Sequence, residues 1–150
     1  MTMAEQIVEV ELIQQEDYRF TVNFGDNVPS LVADEPPPLG KGRGPSPVQL
    51  LCAAVGNCLT DSLLFAFKKY KQAPEPLSAT VSATLGRNSE NRLRVQSMSA
   101  RLHLGVTGGE LDHLERVLSQ FEGFCTVTQS LGQGIMISTE VYDAHGERLK

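Results

Sequence analysis

Between Val48 and Phe67 apolar residues fall on every side of a helical wheel, interrupted only by Gln49, Gly56, Asn57, Thr60, Asp61 and Ser62. A helix patterned in this way needs burial nearly all round. Its start is written by Ser46, Pro47 and Gln49: a hydroxyl for a free amide, a proline at the first helical position, and an amide side chain that can return a bond to Ser46. Lys68, Lys69 and Lys71 place positive charge at its other end, and Pro74 and Pro76 forbid continuation. Its length nearly suffices for a membrane span, but Gln49, Asn57 and Asp61 would be costly in lipid, so a helix buried in protein is the expectation.

The rest of the chain reads mostly as strands. Val8, Val10 and Leu12 alternate with Glu9 and Glu11, and Tyr18, Phe20, Val22 and Phe24 alternate with Arg19, Thr21 and Asn23, with Gln14 to Asp17 as the turn between them. A short strand at Ser30 to Ala33 precedes DEPPPLGKGRG, residues 34–44, whose prolines hold it extended before three glycines free it. It reads as a loop able to lie over a pocket; a phosphate cradle beside the helix start is the alternative, without the GxxxxGK[ST] pattern.

Beyond the helix, Leu77 to Leu85 alternate without a break. A second strand changes phase at Gln96 and Ser97, which predicts a bulge or bend there. Thr107 and Glu110 form a capping box expected to open an amphipathic helix bearing Leu111, Leu114, Val117, Leu118 and Phe121 and ending at Gly123. Thr126 to Leu131 reads as a short helical turn, Ile135 to Val141 as a last strand, and Asp143 to Lys150 as a fraying tail. The order predicts an α+β arrangement with mainly antiparallel pairing, in one domain over 1–150. One small sheet cannot cover the central helix; an intertwined homodimer would.

Composition narrows the chemistry. A net charge of −5, with no Lys/Arg run longer than residues 68–69, lacks the footprint of a nucleic-acid binder. The opening MTMAEQIVEVEL carries acids and no Lys or Arg, so cytoplasmic residence is the expectation. Cys52, Cys58 and Cys125 are too few and scattered for a disulfide scaffold or a CxxC zinc site, and His103, His113 and His145 have no ligand spacing. No metal or bound cofactor is expected. In a reducing compartment these cysteines are packing residues or reactive thiols. Arg19, the first cation of the chain, points away from the apolar face of its strand, as solvated strand arginines do; a functional role stays open.

The stretch GPSPVQLLCAAVGNCLTDSL, followed 67 residues after Cys58 by FCTVTQSL around Cys125, resembles the OsmC/Ohr family of thiol-dependent hydroperoxide reductases. LVADEPPPLG looks like the OsmC-like branch. The resemblance covers essentially the whole chain. It implies an OsmC-like fold of antiparallel sheets around a buried central helix, and a domain-swapped homodimer with two active sites at the subunit interface. Cys58 corresponds to the peroxidatic cysteine and Cys125 to the resolving one. Cys52 and Cys58 stand about 9 Å apart along one helix axis, beyond the reach of a disulfide. Cys125 is therefore left as the intrachain partner of either, and Cys52, among Leu51, Ala53 and Ala54, reads as a small core residue.

The resemblance further implies a cation that lowers the pKa of Cys58, because in mid-helix no free amides or positive dipole end are available to stabilise a thiolate. Arg19 is the first candidate and Arg43 the second. The carboxylate that holds this arginine in the family stands ten residues before the reactive cysteine, where this chain has Val48, next to Gln49. Asp34, Glu35 or Asp61 would have to substitute. Thr126 replaces the proline common after the second cysteine. The expected reaction is reduction of an organic hydroperoxide, with a cellular dithiol as reductant and Leu59, Leu63 and Phe124 as either pocket wall or plain core. The missing Glu keeps an alternative in view: a small-molecule binding or redox-sensing protein with little turnover.

Overall fold

The computed structural model describes residues 4–150. They divide into two compact units, one ending at Leu50 and one running from Leu51 to Lys150.

The first unit is a three-stranded sheet in the order β1-β2-β3, with β1 Glu11–Glu16, β2 Arg19–Asn23 and β3 Leu31–Ala33. Both pairings are antiparallel. The strand expected over Val8 to Leu12 lies later in the chain: Val8 and Val10 precede β1 and are exposed, and Gln14 and Gln15 are strand rather than turn. The reason is local. Asp17 takes a left-handed φ of 50°, which an Asp tolerates, so the reversal closes within Asp17 and Tyr18 and the ladder extends to Glu16 opposite Arg19.

Asp34, buried at the end of β3, organises the loop that follows. Its carboxylate accepts from the backbone amides of Glu35 at 2.8 Å, Lys41 at 3.3 Å and Arg43 at 3.0 Å. Gly40 N–H donates to Pro36 O and Gly42 N–H to Glu35 O, so the loop is a folded unit and not a strap. A β-carbon on Gly40 would strike the Glu35 carbonyl, which accounts for glycine there. The capping box expected at the helix start is present: Gln49 N–H donates to Ser46 Oγ at 3.2 Å, and Ser46 N–H to Gln49 Oε1 at 2.9 Å.

The central helix α1 spans Pro47–Lys69. It closes at Phe67, whose carbonyl accepts from Tyr70 and Gln72, while Lys71 turns through a φ of 56°. By length and composition alone α1 would cross a membrane, yet Val55, Leu59, Leu63, Ala66 and Phe67 lie in the core of the second unit. Burial of each such large side chain contributes about 1.5–3 kcal/mol. The opposite side of the helix is not covered: Ala53, Ala54, Asn57, Asp61 and Phe65 are exposed. The all-round burial expected from the pattern is therefore not reached within one chain, because the core of the second unit covers one face.

That unit contains a second sheet, order β4-β5-β6, with β4 Ser78–Arg87, β5 Leu93–His103 and β6 Met136–Tyr142. β4 and β5 form the expected hairpin. Thr84 pairs with Ser97 and Leu85 with Val95, which leaves Gln96 as the extra residue of the anticipated bulge. The pairing is mainly antiparallel, as expected, and β6 is the exception, running parallel to β5. A parallel return needs a crossover, and the helical segment between them supplies it.

That segment is more broken than expected. Glu110 does accept from both the N–H and the O–H of Thr107, but the cap opens only a 3₁₀ turn, Gly108–Glu110. Leu111 is extended and His113 left-handed, so α2 spans only Leu114–Gln120. A second 3₁₀ turn, Phe121–Phe124, leads to α3, Thr126–Leu131, at the expected position. The tail does not fray. Asp143 is buried and accepts from the amides of Gly108, His145 and Glu147, and Leu149 N–H donates to Val141 O at 2.8 Å. Nearby hydrogen bonds back onto β6 outweigh the polarity of the segment.

Candidate active site

Cys58 sits midway along α1, half-buried, and Cys125 is the wholly buried N-cap residue of α3. All three cysteines are free thiols. The Cys58 and Cys125 side chains are neighbours, near enough for Cys125 to act on the Cys58 thiol, which brings together residues 67 positions apart in sequence. Burial is the strongest influence on the Cys58 thiol and pushes its pKa above the ordinary 9.0. The backbone amide of Val127 acts in the opposite sense, the Cys125 side chain adds to the rise, and the amide of Thr126 again lowers it. So the expectation that no free amides are available to Cys58 needs correction: its own helix offers none, but the first turn of α3 does. Nothing along α1 itself signals these amides. One signal was present, because Thr126 has an N–H that the proline common there would lack.

Cys52 is half-buried, and burial alone raises its thiol pKa. It packs against the core and also borders an open cleft of about 490 Å³ together with Gly56, Asn57, Asp61 and Val81. Leu59 and Leu63 are fully buried core, which removes them as pocket walls. Phe124 is 43% exposed and stacks edge-to-face on Phe65 at 5.5 Å between centroids, with Lys69 Nζ 5.1 Å from the Phe124 ring.

Arg19 lies on β2, where its guanidinium pairs with Glu16 Oε2 at 3.4 Å. Asp34 is its other acidic neighbour, and the positive field of Arg19 adds to the three amides that hold the Asp34 carboxyl below its ordinary pKa. Glu16, Arg19, Asp34 and Lys41 line a cavity of about 200 Å³ under the proline-glycine loop. Asp34, one of the acids considered as a substitute for the missing Glu, is thus beside Arg19, and Glu16 joins it unforeseen. Reading Gln14 to Asp17 as a turn hid Glu16; with the reversal at Asp17 and Tyr18 it falls directly opposite Arg19. Asp61 is occupied by Asn57, whose Nδ2 donates to it at 2.8 Å, and Gln49 by its cap. Arg43 contributes its backbone amide to Asp34, and its side chain belongs to an exposed residue.

The structure thus defines a two-thiol α+β protein, with one cysteine in the middle of a long apolar helix and the other at the start of a short one. The sequence model of the OsmC-like protein family matches residues 40–140, and the chain belongs to that family. Solved structures share the fold. An OsmC-like protein of unknown function from Vibrio cholerae is 18% identical, with a TM-score of 0.76 over 91% of this chain and 99% of the other. An OsmC-like protein from Mycoplasma pneumoniae is 15% identical, with a TM-score of 0.76 over 95% and 100%. An organic hydroperoxide resistance protein from Legionella pneumophila is 18% identical, with a TM-score of 0.71 over 93% and 98%. No curated protein matches the sequence.

Proposed function

We propose that this protein is a thiol-dependent reductase of organic hydroperoxides that works as a cytoplasmic, intertwined homodimer of single-domain chains. The observation that carries the reading is the contact between the Cys58 and Cys125 side chains beside the α3 amides. The Cys58 thiolate attacks the distal oxygen of ROOH and breaks the O–O bond; the leaving alkoxide takes a proton and departs as ROH, and Cys58 becomes a sulfenic acid. Cys125 then attacks the Cys58 sulfur, the S–O bond breaks, and water leaves as the disulfide forms. A dithiol returns both electrons by exchange.

Arg19 is assigned the part of the activating cation, with Glu16 and Asp34 in place of the family's Glu at position 48. The uncovered face of α1, which carries Phe65 at 55% exposure, is assigned to the second subunit. Titration with cumene hydroperoxide in the presence of a dithiol tests the reading: consumption is expected from the native protein and none from Cys58→Ser.

A second reading is a slow redox sensor or small-molecule binding protein. It is favoured by the raised pKa of the Cys58 thiol, which leaves little thiolate at neutral pH, and by Val48. A disulfide that forms slowly without turnover would select the sensor, and peroxide treatment without any disulfide would select the binding protein.

A further inference from the structure

We propose that Lys150 is a positioning residue for Cys125, coupling the segment after β6 to the closure of the Cys58–Cys125 disulfide; this rests on the two-thiol reading above. Lys150 reaches onto the end of α2 and the 3₁₀ turn that follows it. Its ammonium donates to the Leu118 carbonyl in α2 at 2.7 Å and pairs with Glu122 Oε1 at 2.6 Å. It also lies 5.2 Å from the centroid of Phe121, a wholly buried ring. One side chain therefore makes contacts of three kinds, two of them on the 3₁₀ turn Phe121–Phe124 and one on the end of α2 just before it.

Glu122 carries the connection onward. Its carbonyl accepts from Cys125 N–H at 3.1 Å and from the side-chain Nε2 of Gln129 at 3.0 Å, so the residue held by Lys150 in turn holds the Cys125 backbone and a side chain of α3. The other end of the link is fixed as well. Val141, fully buried in β6, donates to Lys150 O at 3.2 Å and accepts from Leu149 N–H and Lys150 N–H. Lys150 thus ties the turn that presents Cys125 to the sheet against which α1, with Cys58, is packed.

Such a tie matters for one step and not for the other. Oxidation of Cys58 to the sulfenic acid involves Cys58 and peroxide alone. Closure requires the Cys125 sulfur to approach the Cys58 sulfur in line with the S–O bond that breaks, releasing water, and small errors of placement cost much of the rate. The ion pair is half-buried, with 34% and 33% of the two side chains exposed, and it is charge-assisted. It is more than a solvated surface contact.

The test follows the two steps separately by rapid-quench mass spectrometry of the full chain: alkylatable thiol lost at Cys58, then disulfide gained between Cys58 and Cys125. Lys150→Met is expected to leave the peroxide-dependent rate at Cys58 unchanged and to slow closure about ten-fold, with sulfenic acid accumulating. Lys150→Arg should restore closure, and Glu122→Gln should slow it as Lys150→Met does, which serves if Lys150→Met folds poorly. Closure at the native rate in both Lys150→Met and Glu122→Gln would overturn the proposal, as would equal slowing of both steps. A native protein that forms no Cys58–Cys125 disulfide would overturn the underlying reading instead, and this inference with it.

Discussion

Gly56 lies so close to Val81 that a β-carbon on it would stand 2.9 Å from Val81 Cγ2. The contact sets how closely α1 rests on β4, at a point two residues before Cys58. Val81 is β-branched and paired with Ala100 in the ladder, so it cannot swing aside freely. Gly56→Ala should gain about 1 kcal/mol of helix propensity and lose about 1–3 kcal/mol to overpacking. The expected net is a destabilisation of about 1 kcal/mol, read from the urea midpoint. Gly56→Val should cost clearly more. An unchanged or raised midpoint in Gly56→Ala would mean that the helix–sheet spacing is not set here.

The Asp34 clasp makes an acid-sensitive element of the loop before α1. Its carboxyl pKa is lowered, first by the Arg43 amide, with further lowering by Glu35, Lys41 and Arg19 against the opposing effect of burial. A folded pKa below the unfolded value contributes stability that is present above the ordinary 3.8 and is lost as pH falls through the lower folded value. Hydrogen exchange at the amides of Glu35, Lys41 and Arg43 should therefore stay protected down to pH 4 and accelerate below it. Asp34→Asn should weaken that protection at neutral pH.

The Cys58 thiol gives a pH dependence of opposite sense. Its folded pKa is raised, chiefly by burial, so in Arg19→Ala, which lacks the proposed activating cation, alkylation by iodoacetamide should increase with pH with a midpoint above the ordinary 9.0. The linkage sign is also opposite. Above pH 9 the unfolded chain gives up this proton more readily than the folded one, and stability falls as pH rises. Thr126→Pro removes one of the two amides that oppose the rise and should move the alkylation midpoint further up, with α3 intact because proline suits a first helical position. A midpoint that does not move would show that the Thr126 amide does not act on the sulfur.

The uncovered side of α1 has its own consequence. With 39% of its most apolar window buried within the chain, the helix should acquire a second subunit in solution, and sedimentation equilibrium should return twice 16.4 kDa. Phe65→Glu, which puts a charge on that side, should shift the equilibrium toward the single chain. A monomeric native protein would contradict the assignment of that face to a partner.

Much of this architecture was legible because the deciding signals are local. The Ser46–Gln49 capping box, the α3 span Thr126–Leu131 and the bulge at Gln96 each follow from a few neighbouring residues. The displaced β1 was a local matter of the turn at Asp17, but other segments answer to groups further away in sequence. The helix expected from Thr107 breaks at Leu111 and His113, and the tail is held by Val141, Asp143 and the Leu118 carbonyl. Side-chain identities pointed to Cys58, Cys125 and Arg19 as candidates. The groups that surround them were hidden, since backbone amides leave no trace in composition and Glu16 appears only once the hairpin turn is set in register.

The most direct test of the account is to treat the reduced protein with one equivalent of cumene hydroperoxide, block free thiols, and map the cysteines by peptide mass spectrometry without reduction. A Cys58–Cys125 disulfide with Cys52 free is expected, lost in either Cys58→Ser or Cys125→Ser and reversed by a dithiol. A Cys52 disulfide in its place, or Cys58 and Cys125 both still free thiols after the peroxide is consumed, would contradict it.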